Sequence, residues 1–99
     1  MFAEYRKVLD SAAIVCAEIA HDGHPIMYAE RSAPLQPEDS GWQFLCGDTH
    51  ANSDDVQIWS VREIVELDPT LTKHILLPAG TILERRSPDA PWVIEKNER

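Results

Sequence analysis

Apolar positions in this chain fall into short clusters separated by polar or Pro/Gly-rich breaks, and the clusters switch between two periods. Phe2, Tyr5 and Val8/Leu9 recur at helical spacing and predict a helical turn or two over Phe2–Asp10. Ile14, Val15, Cys16 and Ile19 make Ala12–Ala20 a predicted strand, with a helix continuing from Phe2 as the competing reading because of its alanines. His21-Asp22-Gly23-His24-Pro25 is a dense group of breakers and marks a turn. Ile26–Arg31 resumes as a strand with Ile26, Tyr28 and Glu30 toward one face, and the two strands with a short turn between them suggest a hairpin.

Ser32–Ser40 holds Pro34, Pro37, Glu38 and Asp39 and reads as an exposed loop. It leads into Asp39-Ser40-Gly41-Trp42-Gln43-Phe44-Leu45-Cys46-Gly47-Asp48, a run of large apolar residues with Gly41 and Gly47 as brackets. Strand alternation puts Trp42, Phe44 and Cys46 on one face and Gln43 and Leu45 on the other. Neither face is strongly polar, so the strand is expected in the middle of a sheet. Asp48–Asp55 is polar with no apolar period and reads as a second loop.

The clearest local signature follows. Ser60-Val61-Arg62-Glu63 fits a capping box: the Ser60 hydroxyl accepts from the Glu63 N–H, and the Glu63 carboxylate accepts from the Ser60 N–H. Trp59 is placed to staple onto Ile64, and the helix Val61–Leu67 is expected to turn Val61, Ile64, Val65 and Leu67 inward. Asp68-Pro69 stops it, since a residue before proline is driven out of the α region. The same pair starts a further helical turn, with Asp68 as N-cap, Pro69 at the first position, and Leu71, Ile75 and Leu76 facing in. Thr81–Arg86 and Trp92–Glu95 read as the last two strands. The expectation is one small α+β domain over 1–99: a mostly antiparallel sheet of about five strands with two short helices between strands three and four.

Composition narrows the functions available. At 99 residues with 43% hydrophobic and 26% charged, the chain fits one ordinary globular domain. No apolar run approaches the roughly 20 residues of a membrane-spanning helix, and no secretory pattern is visible, so no membrane association and a cytoplasmic location are expected. Cys16 and Cys46 sit among apolar residues and read as reduced buried thiols. The net charge of −8 is concentrated: residues 34–68 carry eight acids against one base, Arg62. That field repels phosphate backbones, which argues against nucleic acid, and favours a basic protein partner.

Candidate chemistry is sparse. Asp48, His50 and Asp54 could serve a metal-dependent module, but the loop lacks the inner Gly and terminal Glu of a calcium loop. A thiol set of Cys46 and His50 would need an activated thiol, and a buried one is inert. No metal, no cofactor and no enzymatic activity are expected. Self-association through an edge strand is a further reading.

The segments Ile26–Arg31, Asp39–Asp48, Ile58–Val61 with Asp68-Pro69, and Leu77–Arg85 together resemble the immunity protein thirty-three class of bacterial polymorphic toxin systems. The Asp-Ser-Gly-Trp-x-Phe-x-x-Gly-Asp run is the most specific part, and the resemblance covers about residues 14–94. It implies a non-catalytic protein that binds and neutralises a toxin domain; a small regulatory or ligand-binding domain is the alternative. Glu38, Asp39, Asp48, His50, Asp54 and Asp55 are the expected partner-binding residues. Gly41, Trp42, Phe44, Gly47, Ser60, Glu63, Asp68 and Pro69 are expected to hold the structural motifs.

Overall fold

A computed structural model describes residues 2–46 and 56–96. Its elements are α1 (Phe2–Leu9), β1 (Ala12–Cys16), α2 (Ala17–Asp22), β2 (Tyr28–Arg31), β3 (Asp39–Leu45), β4 (Val56–Ser60), α3 (Val61–Leu67), a 3₁₀ turn (Pro69–Leu71), β5 (Thr81–Glu84) and β6 (Val93–Lys96). The six strands form one sheet in the order β4-β1-β3-β2-β5-β6. β1 runs parallel to β3, and every other neighbouring pair is antiparallel. No described helix is long and apolar enough to cross a membrane.

Two expectations about the first half are corrected. Ala12–Ala20 is a strand only as far as Cys16, after which Ala17–Asp22 is helical. The β-branched pair Ile14-Val15 suits the strand, whereas Ala-Glu-Ile-Ala favours helix. Gly23 closes that helix at φ 68°, its N–H donating to the Glu18 carbonyl. With a helix between them, β1 and β2 cannot form a tight hairpin. β3 lies between them instead, and Phe44 has Val15 opposite on one side and the small Ala29 on the other. The sheet has six strands where about five are expected; the additional one is β4, Val56–Ser60, which runs into the helix cap and pairs with all of β1.

Alternation along the strands sorts the sheet into two faces. Ala13, Val15, Ala29, Trp42, Phe44 and Leu83 are fully buried on one face, together with Val8, Leu9, Ile19, Val61, Ile64, Leu71 and Ile75 from the helices and turns. The expected capping box is present: the Glu63 N–H donates to Ser60 Oγ at 3.2 Å and the Ser60 N–H donates to Glu63 Oε1 at 2.9 Å. Leu67 and Leu76, expected to face inward, are instead 51% and 42% exposed. The first sits where Asp68 leaves the helix at ψ 89°, and the second follows a turn too short to keep a helical face.

Gly41 is where β3 passes closest to the chain leaving β2. Its φ is +84°, and a Cβ there would overlap the Ser32 carbonyl oxygen. The Ser32 N–H already donates to the Gly41 carbonyl at 2.8 Å, so the two backbones cannot separate without losing that bond. Gly41→Ala is expected to destabilise the domain by at least the roughly 1–3 kcal/mol of such a backbone conformation. Urea unfolding checks this: the midpoint should fall with an unchanged slope.

Candidate functional site

Of the residues expected to bind a partner, Asp48, His50, Asp54 and Asp55, with Gly47 beside them, lie outside the described residues. Glu38 is exposed, and its carbonyl accepts from the Ala12 N–H at 2.7 Å. Asp39 is half-buried and its carboxylate is engaged, accepting from the Gly41 N–H at 2.9 Å and the Leu35 N–H at 3.4 Å. Asp39 pairs with Ala12 at the start of β3. Cys46 and Val56, which flank the other acidic segment, lie at the opposite end, where Val56 pairs with Cys16. Along a strand of this length those ends are about 20 Å apart. The two acidic stretches thus leave the sheet from opposite ends of β3.

Between those ends lies the second face of the sheet, which no described helix covers. Register places Ile58, Ile14, Gln43, Glu30, Ile82 and Glu95 side by side across all six strands. The neighbouring row runs Leu45, Tyr28, Glu84 and Val93, with Leu45 buried and exposure rising toward Val93 at the β6 edge. Ile58 is 66% exposed and Val93 54%, while Ile14, Gln43, Glu30 and Ile82 are half-buried. The two rows hold three carboxylates and no Lys or Arg; Arg86 stands at the β5–β6 margin. At the β4–β1 side, Ile14 and Ile58 form a shallow groove of about 220 Å³ with Gln36, Glu38 and Asp39. Of this face, Gln43 and Glu30 follow from strand alternation within their own segments. That Ile14, Ile58, Ile82 and Glu95 join them arises only from which strands become neighbours.

Groups with catalytic potential are committed elsewhere. Cys16 and Cys46 are buried free thiols, and burial, followed by its contact with Cys16 and the nearby Glu18 charge, pushes Cys46 up to about 11. A protonated, enclosed thiol is a poor nucleophile. At pH 8 a thiol-alkylating reagent is expected to leave the native chain unlabelled and to label both cysteines in denaturant. The raised value also gives a stability trend. The folded state holds the Cys46 proton more tightly than the unfolded chain, so stability is full below about pH 9 and falls as pH rises toward about 11. His21 Nε2 lies 2.9 Å from the Gln57 amide nitrogen, and His24 Nδ1 lies 3.0 Å from the Pro25 carbonyl. His74 is lowered by burial and by Lys73. None of these faces another in a nucleophile–base arrangement.

A depression of about 610 Å³ lies between the 3₁₀ turn and the Pro88–Trp92 segment. Its wall is structural. The Trp92 indole N–H donates to Thr70 Oγ1 at 3.0 Å, and the Arg85 guanidinium lies over the Trp92 ring at 4.3 Å. Trp92 is thereby a half-buried clamp for the elbow.

Among the described residues, the sheet face that carries Ile58, Ile14, Glu30 and Glu95 interleaves apolar side chains with carboxylates on neighbouring strands. No match was found among curated proteins or among solved structures. The family model of the immunity protein Imm33 domain matches residues 13–95, from β1 to the last described strand. The chain belongs to the Imm33 immunity protein family.

Proposed function

We propose that this chain is an immunity protein that binds a cognate toxin domain through the uncovered sheet face, without catalysis, in the cytoplasm of the cell it protects. Family membership supports the class of function. The observation that carries the choice of surface is the row Ile58–Ile14–Gln43–Glu30–Ile82–Glu95, which puts apolar and acidic side chains together on one face of all six strands, with Ile58 66% exposed. Apolar anchors supply burial, and carboxylates around them select a basic surface and steer its approach. The net charge of −8 acts in the same direction over longer range. Glu38, at the rim of the Ile14–Ile58 groove, belongs to this surface, and the acidic residues Asp48, Asp54 and Asp55 add to the field.

The test uses the C-terminal domain of a large secreted protein encoded beside this chain, with affinity and protection of cells as readouts. Ile58→Asp and the pair Glu30→Lys/Glu95→Lys are each expected to weaken binding about tenfold or more, by removing an anchor or reversing the field. Glu66→Lys, exposed on α3 on the helical side, is expected to leave affinity within about twofold. Association should slow as salt is raised. Unchanged affinity and protection in the face variants would remove this surface from the reading, and a domain that the wild-type chain neither binds nor neutralises would remove the function.

A further inference from the structure

Cys16, Glu18 and Cys46 come from three parts of the chain that the fold brings to one point. Cys16 ends β1, Glu18 lies in the first turn of α2, and Cys46 follows β3 directly. One donor atom from each, two sulfurs and a carboxylate oxygen, lies within 4.8 Å of the others. Both thiols are reduced and buried, and Glu18 is half-buried beside them. Thirty positions separate the two cysteines, so no short Cys–Cys spacing betrays the cluster in the sequence.

We infer that Cys16, Glu18 and Cys46 form a binding site for a thiophilic divalent cation of the zinc type. The donor set is two sulfurs and one oxygen, which suits zinc over magnesium or calcium, whose ligands are oxygens. Tetrahedral zinc with bonds of roughly 2.3 Å to sulfur and 2.1 Å to oxygen needs donors about 3.5–3.8 Å apart. The observed cluster is within small side-chain movements of that spacing. Binding forms two metal–sulfur bonds and one metal–oxygen bond, and the two thiol protons pass to solvent; nothing is oxidised. The three negative ligands then surround a doubly positive ion, leaving a net single negative charge in place of a carboxylate beside two neutral thiols. The fourth position is left for water. The parallel pairing of β1 with β3 fixes the sulfurs relative to each other, so the ion would tie the ends of both strands to α2. This inference is independent of the toxin-binding reading.

The full chain, stripped of metal and kept reduced without chelating thiols, is titrated with cobalt(II) and separately with zinc. The expected result is a one-to-one complex showing sulfur-to-cobalt charge-transfer absorption, abolished by competing zinc, together with a zinc-dependent rise in Tm and none with magnesium. Cys16→Ala and Cys46→Ala should lose the absorption. Glu18→Gln, a change of nearly equal volume at a half-buried position, should fold normally and weaken zinc binding about tenfold or more. The inference is overturned if the wild-type chain gives no charge-transfer band and no Tm shift at millimolar metal. It is overturned equally if a well-folded Glu18→Gln chain binds zinc as wild type does, or if the band survives in a cysteine variant.

Discussion

Replacing Trp42 by alanine is expected to cost about 3–5 kcal/mol of stability, the range for removing a large aromatic from a closed core. Trp42 is 1% exposed, and its ring stacks on Phe44 with centroids 5.6 Å apart and planes 17° apart. Its indole N–H donates to the Ile75 carbonyl at 2.9 Å, tying the central strand to the turns after the 3₁₀ segment. Arg31 lies 5.7 Å from the same ring and donates to the Ser40, Ile75 and Leu77 carbonyls. Burial lowers the Arg31 pKa, and the ring with three carbonyls compensates the buried cation. Alanine would therefore open a cavity, leave the Ile75 carbonyl with Arg31 as its remaining side-chain donor, and remove the π face from Arg31. Domains of this size typically hold about 5–15 kcal/mol in total, so the loss is a large fraction of the whole. At about 4–8 °C per kcal/mol, Tm should fall by roughly 12 °C or more. Trp42→Phe keeps most of the volume and loses the N–H, so it should cost clearly less. Circular dichroism melts of both variants decide the matter: a loss below about 1 kcal/mol for Trp42→Ala would mean that this core is not closed around the ring.

Much of what surrounds Trp42 is legible in the sequence, and the reason is locality. The Ser60–Glu63 capping box, the stop at Asp68-Pro69 and the central strand 39–45 with its large apolar residues all follow from neighbours within a few positions. β1 and α2 are harder, because Ala12–Ala20 satisfies two periods at once, and the Gly23 cap marks where the helix ends but not where it takes over from the strand. β4 is harder still. Val56–Ser60 has an ordinary composition for a strand, but its existence depends on the full length of β1 lying beside it.

The same distinction governs the candidate site. Charge counting along the chain draws attention to acidic loops, where Asp39 turns out to spend its carboxylate on Gly41 and Leu35. The carboxylates Glu30, Glu84 and Glu95 stand instead on strands β2, β5 and β6, separated in sequence and aligned only by register. A net charge reports how much acid a chain carries; the sheet order decides which acids share a surface with Ile14 and Ile58. β3 keeps its central role, holding Trp42 and Phe44 toward the helices and Gln43 toward the open face.

Asp68→Asn is expected to be the most damaging change outside the sheet, at about 3 kcal/mol or more, because it strips the counter-charge from a buried cation. The Arg85 side chain is 3% exposed and that of Asp68 14%, with Arg85 Nη2 and Asp68 Oδ2 2.6 Å apart. Arg85 Nε also donates to the Ile26 carbonyl at 2.9 Å, and the guanidinium lies 4.3 Å from the Trp92 ring. Asparagine keeps the volume and can still accept from the Thr70 N–H, the capping bond that Asp68 makes at 3.2 Å. The substitution thus isolates the charge from the cap. Arg85→Met should also destabilise, by exposing an unpaired carboxylate at the elbow and losing the contact with Trp92. If the pair acts as one unit, the double variant Asp68→Asn/Arg85→Met will cost less than the two single changes together, with a coupling of about 1–3 kcal/mol. Because the pair is shielded from solvent, that coupling should change little between low salt and 1 M salt, where the Debye length is only about 3 Å. By contrast the Arg62–Asp10 pair, whose side chains are 49% and 67% exposed, should show almost none at either condition. Urea denaturation of the four chains at two salt concentrations reads the coupling directly, and additive losses would show that Arg85 is held by the Ile26 carbonyl, Thr70 Oγ1 and Trp92 without help from Asp68.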